Sequence, residues 1–127
     1  MKNRGFRERM GFALAGIRDC WRSEKSFRTQ SALAGLALVA LVVLRPAPVW
    51  WAAVAISCAL VLALELVNSA VEAVIDRLHP EIHPAIRVAK DMLAGAVLVM
   101  SFASLLVAAA LVVDSGPRVL GELGIWR

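Results

Sequence analysis

"VWWAAVAISCALVLALELVNSAVEAVIDR", residues 49–77, decides the fold. Val49 to Leu64 carries no charge, and Glu65, Asn68, Glu72 and Asp76 follow directly. A charge at mid-bilayer costs about 2.5–3.5 kcal/mol on insertion scales, so acids beside a membrane-spanning pattern need a reason. At about 100° per residue, Glu65, Glu72 and Asp76 fall within roughly 20° of one line, with Asn68 close by. The stripe is about 16 Å long at 1.5 Å per residue. Three aligned acids repel one another and call for a proton, a metal or a Lys/Arg partner. A helix end emerging into water accounts for Asp76 and for Glu72 more readily than for Glu65, which Ala63, Leu64, Leu66 and Val67 surround.

Two further apolar stretches, Ser31–Leu44 and Met92–Val113, flank this one, and the 127-residue chain is 60% hydrophobic with a mean hydropathy of +0.72. That composition excludes an ordinary soluble domain and predicts an all-α integral membrane protein with three spans. The spans are expected over about residues 29–48, 49–76 and 86–113, with a tail over 114–127. The first apolar stretch is short, so it is expected to recruit Thr29, Gln30 and the Arg45–Trp50 flank. A signal peptide fits poorly, because the charged region ahead of it is nearly thirty residues long. Cys20 and Cys58 have no CxxC spacing and read as small apolar side chains.

Residues 1–28 hold eight of the fourteen Lys and Arg, and the 77–90 connection holds Arg77, Arg87 and Lys90. The positive-inside rule puts the N-terminus and that connection in the cytoplasm and the C-terminus in the periplasm, with Trp50 and Trp51 at the outer interface. The net charge of +4 is therefore a topology signal, and a nucleic-acid partner is not expected.

Residues 6–28 read as an amphipathic surface helix, with Phe6, Met10, Leu14, Ile17, Cys20 and Trp21 on one stripe. Glu24 projects into the middle of that stripe. Either it wants a cation or metal there, or the helix ends near Ser23 and leaves Glu24 solvated in a turn. His79 and His83 have zinc spacing, but Pro80 and Pro84 make a His pair on one helix face unexpected. Lys90 and Asp91 open the third span, either as a solvated helix start or as a phosphate and metal contact. The chain lacks GxxxxGK[ST], GxSxG, GxGxxG and the kinase HRD and DFG signatures.

"SEKSFR" (23–28), "ELVNSAVEAVIDR" (65–77) and "EIHPAIRVAKDMLAGAVL" (81–98) resemble, in order and spacing, the prokaryotic membrane-integral diacylglycerol kinase and undecaprenol kinase family. The resemblance implies a homotrimer of three-span subunits, each with an N-terminal surface helix. It further implies transfer of the γ-phosphoryl group of MgATP to a lipid hydroxyl at the cytoplasmic face of the bacterial inner membrane. By position, Glu65 matches the general base, and Glu24 and Glu72 match the carboxylates that hold Mg²⁺. Asp76, Lys90 and Asp91 match groups around the phosphates, and His83 matches one near the adenine. Asn68, Arg28 and Trp21 are expected on the substrate side. Phe12, Ala13 and Ile82 depart from the aromatic or hydroxyl groups that better-known diacylglycerol kinases carry near the nucleotide. The "HPAIRVAKD" wording leans toward undecaprenol kinases, whereas "NSAVEAVIDR" leans toward diacylglycerol kinases, so both lipids stand. From another class, a small proton-coupled multidrug-type transporter would use Glu65 as its cation site, but such transporters have four spans and no Lys–Asp pair. A non-catalytic scaffold leaves Glu65 unexplained.

Overall fold

A computed structural model describes residues 3–125. Among them are four helices, α1 (Phe6–Ser23), α2 (Lys25–Leu44), α3 (Pro48–Leu78) and α4 (Pro84–Glu122). The last three are long and apolar enough to cross a membrane. At 1.5 Å per residue α3 is about 46 Å long and α4 about 58 Å, well beyond a hydrocarbon core of about 30 Å. Both therefore project past it; Glu65 lies more than three turns inside α3, whereas Asp76 falls in its last turn.

α4 packs chiefly on α3, and α2 joins that pair. The buried apolar cluster is Leu41, Val54 and Leu111, against which Trp50, Cys58 and Val107 pack. It lies at the end of the bundle far from α1. Most other large apolar side chains, such as Leu36, Val43, Val99 and Leu106, face outward. That outward apolarity is what a lipid-facing surface requires.

Three boundaries differ from the sequence expectation. α1 ends at Ser23 rather than Arg28, because Glu24 takes an extended conformation (φ −114°, ψ 111°) that is the C-cap of α1 and the N-cap of α2. The Arg28 guanidinium stabilises this elbow by donating to the carbonyls of Trp21 (2.6 Å) and Arg22 (3.3 Å), which the broken helix leaves orphaned. The first span recruits residues on its N-terminal side only and stops at Leu44, not at residue 48. Pro46 disfavours a helical Arg45, which adopts a left-handed cap (φ 47°), and Pro48 then starts α3 at a position where its missing N–H is harmless.

The third difference is the tail. α4 runs through Pro117 to Glu122, so most of residues 114–127 is helix, and Trp126 lies outside the described residues. The extension clasps the α2–α3 turn. Arg118 donates to the carbonyls of Leu44 and Arg45 and pairs with Glu122 (3.3 Å). Glu122 also pairs with Arg45 at 2.8 Å, and the Trp50 indole N–H donates to Asp114 at 2.9 Å.

Candidate active site between α1 and α3

At the α1 end a groove of about 620 Å³ runs between the last turns of α1 and the polar face of α3. Cys20, Ser23 and Glu24 line one wall, and Ser69, Glu72 and Asp76 the other. Cys20 is buried and its thiol donates to Ser69 Oγ at 3.6 Å, which ties α1 to α3. The Glu24 question is answered on both sides. The helix does end at Ser23, yet Glu24 is half-buried in the groove wall that Glu72 faces. Its side chain makes no capping bond to α2, so the carboxylate is not consumed by the helix start.

The α3 stripe is a burial gradient. Glu65 is 3% exposed, Asn68 and Glu72 are half-buried, and Asp76 is exposed. Each acid meets a different partner. Glu65 Oε2 accepts from the Ser26 hydroxyl at 3.1 Å. Asp76 binds Lys90 Nζ at 2.5 Å, the cation that the aligned acids call for. Glu72 has no ion-pair partner among the described residues. Asn68 Oδ1 is buried without any hydrogen-bond partner, a state that is costly unless a donor arrives from elsewhere.

The remaining expected residues are spread around this groove. Lys90 bridges α4 to α3, whereas Asp91 is exposed on the next position. His79 caps the end of α3, and His83 caps the start of α4 by accepting from the Ala85 N–H at 3.1 Å. The two histidines belong to different helix ends, with Pro80 between them and Pro84 opening α4. Arg28 is engaged by the elbow carbonyls, and Trp21 is half-exposed with its ring edge-on to buried Phe27 at 6.5 Å. Of the departing positions, Ala13 lines the groove, Ile82 is almost fully exposed, and the Phe12 ring lies under the Arg4 guanidinium at 5.2 Å.

A second cavity of about 390 Å³ is apolar and lies between α2, α3 and α4. Gln30, Ala34 and Ala37 continue the Ser26 face of α2 along it, and Val61, Ser57 and Val54 continue the Glu65 face of α3. It thus begins about one helical turn from the Glu65–Ser26 contact. Ser26 was not foreseen from the sequence. Its only signal there is a hydroxyl in the first turn of an apolar helix.

The family model for prokaryotic diacylglycerol kinase matches residues 11–112. The chain belongs to that family. No curated protein matches it. Membership implies a lipid kinase with a lipid acceptor and ATP, and with three spanning helices it makes the chain a multi-pass membrane protein. The match ends just before Asp114, so the α4 half of the clasp, Asp114, Arg118 and Glu122, lies outside it.

Among the described residues no cluster of three or more His, Cys, Asp or Glu could hold a metal by itself. Mg²⁺ does not need one, since it takes one or two carboxylates together with phosphate oxygens. Glu24 and Glu72, on facing walls of a groove with room for phosphates, fit that donor set.

Proposed function

We propose that the chain is an ATP-dependent diacylglycerol kinase of the bacterial inner membrane, producing phosphatidic acid at the cytoplasmic face. The observation that carries the reading is Glu65. It is a 3%-exposed carboxylate on a spanning helix, held by one hydroxyl and adjoining an apolar cavity. An ionisable group so placed serves an acceptor that is itself held in the membrane. The apolar cavity suits the lipid's hydrocarbon, and the wetter groove above suits the nucleotide.

In the transfer, the lipid hydroxyl oxygen forms a bond to the γ-phosphorus while Glu65 takes its proton. The bond from the γ-phosphorus to the bridging oxygen breaks, and ADP leaves with that electron pair. General-base catalysis of this kind contributes about 10²–10⁴-fold. Glu24 and Glu72 would hold Mg²⁺, which when bound supplies charge neutralisation across the phosphates. Lys90, oriented by Asp76, adds a cation at the cytoplasmic rim, Asp91 and His83 flank the nucleotide, and Asn68 Oδ1 receives a donor from the substrate. Arg28 and Trp21 act on the substrate side by holding the elbow that carries Glu24.

The basic N-terminus and the Arg87–Lys90 segment support a cytoplasmic site. The exposed Phe6, Met10, Leu14, Ile17 and Trp21 of α1 support its lying on the membrane surface. A homotrimer is supported by small residues on α4, such as Ala94, Gly95 and Ala96, which permit close helix approach. Undecaprenol is the second acceptor, favoured by the wording of residues 83–91.

Transfer of radiolabelled γ-phosphate in mixed micelles, run in parallel on diacylglycerol and undecaprenol, tests the reading. Diacylglycerol is the expected acceptor, and no transfer to either lipid refutes a kinase. Thermal stabilisation by MgATP in detergent separates the kinase from a transporter or scaffold, neither of which predicts it.

A further inference from the structure

Among the described residues Ser26 is the helical hydroxyl that donates across helices to a carboxylate. Ser23, Thr29, Ser31, Ser57 and Ser104 donate to the carbonyl four residues back, to Asp19, Lys25, Phe27, Ala53 and Met100, while Ser69 and Ser101 accept from Cys20 and Gln30 on other helices. The carbonyl four residues back is the usual local outlet for a serine or threonine in a helix. Ser26 does not use it. Four residues back lies Arg22, on the far side of the elbow, whose carbonyl accepts from Arg28. The break at Glu24 removes the helical acceptor and leaves the hydroxyl to reach across to α3.

What it reaches is Glu65 Oε2, and it is the only hydrogen-bond partner of that carboxylate among the described residues. A carboxylate 3% exposed on a helix, with one donor, has its rotamer set by that donor. Ser26 is also two residues from Glu24, so one short segment carries both a wall of the groove and the donor to Glu65.

We propose that Ser26 is a positioning residue for Glu65. Its hydroxyl pins Oε2, so that Oε1 is the oxygen left to take the acceptor's proton, and the elbow at Glu24 keeps this donor in register with the groove above. Ser26 keeps its own proton throughout. The inference rests on the kinase reading with Glu65 as base.

The test uses the full-length protein in mixed micelles, with Ser26→Ala, Ser26→Thr and Glu65→Gln compared for kcat, for both KM values and for thermal stability. Ser26→Ala is expected to lower kcat about tenfold with the KM for ATP unchanged, and Ser26→Thr to restore most of it. A wild-type enzyme that transfers phosphate, a dead Glu65→Gln and a Ser26→Ala within twofold of wild type would overturn the inference while leaving the base assignment standing. A joint fall of kcat and melting temperature in Ser26→Ala, without rescue by threonine, would overturn it too, since the serine would then serve only packing of α2. Absence of transfer by the wild-type protein removes the kinase reading and this inference together.

Discussion

Replacing Glu65 by glutamine should move activity and stability in opposite directions. The two side chains are nearly isosteric, so a site 3% exposed opens no cavity, and Ser26 at 3.1 Å still has an oxygen to donate to. What changes is charge. Relieving a carboxylate in an apolar setting is worth up to about 2.5–3.5 kcal/mol on insertion scales. Against it stands the weakening of a hydrogen bond from the charged range of about 1.5–3 kcal/mol to a neutral one of about 1 kcal/mol. The balance is a gain of roughly 1 kcal/mol in stability. Turnover, deprived of its base, should fall about 10²–10⁴-fold, equivalent to roughly 3–5 kcal/mol of activation free energy. The assay pairs γ-phosphoryl transfer in mixed micelles with thermal unfolding in detergent. Turnover within tenfold of wild type refutes Glu65 as base, and a loss of more than about 1 kcal/mol shows the carboxylate to be a structural partner instead.

Other expectations are more local. Glu24→Ala and Glu72→Ala should each raise the Mg²⁺ concentration needed for half-maximal transfer, read by a metal titration at saturating ATP; unchanged requirements in both sink the metal assignment. Lys90→Met should raise the KM for ATP more than it lowers kcat, because it removes a cation at the groove rim and strands the Asp76 carboxylate. Arg118→Ala opens the clasp at the far end, where a half-exposed guanidinium satisfies two helix-end carbonyls. It should destabilise the protein by about 1–2 kcal/mol while kcat stays near wild type, and hydrogen exchange at residues 41–50 should rise in step.

Legibility followed the range of the interactions. Three apolar stretches announced three spanning helices, since crossing a bilayer is a matter of length and hydropathy within one segment. The Glu65–Asn68–Glu72–Asp76 stripe was equally plain, because helical phase alone aligns it. The family was legible because its motif residues lie in three short blocks. Helix ends were read less well. Helical phase alone leaves Glu24 either on the apolar face or in a turn after Ser23, and Arg28 holding the carbonyls behind it decides for the turn; the Asp114–Glu122 extension reads as a tail because its partners lie more than sixty residues upstream.

The sequence by itself therefore determined the membrane class, the polar stripe and the kinase family, all of which follow from composition, period and local motif. Only the tertiary structure decided which acid meets which partner: Ser26 for Glu65, Lys90 for Asp76, and the Glu24-bearing wall of the groove for Glu72. The physical reason is that a charge in a low-dielectric setting is governed by the few atoms within about 3 Å of it. Which atoms those are depends on how α1 and α2 bend at the elbow and how α4 docks on α3, and no window of the sequence contains both sides of either contact.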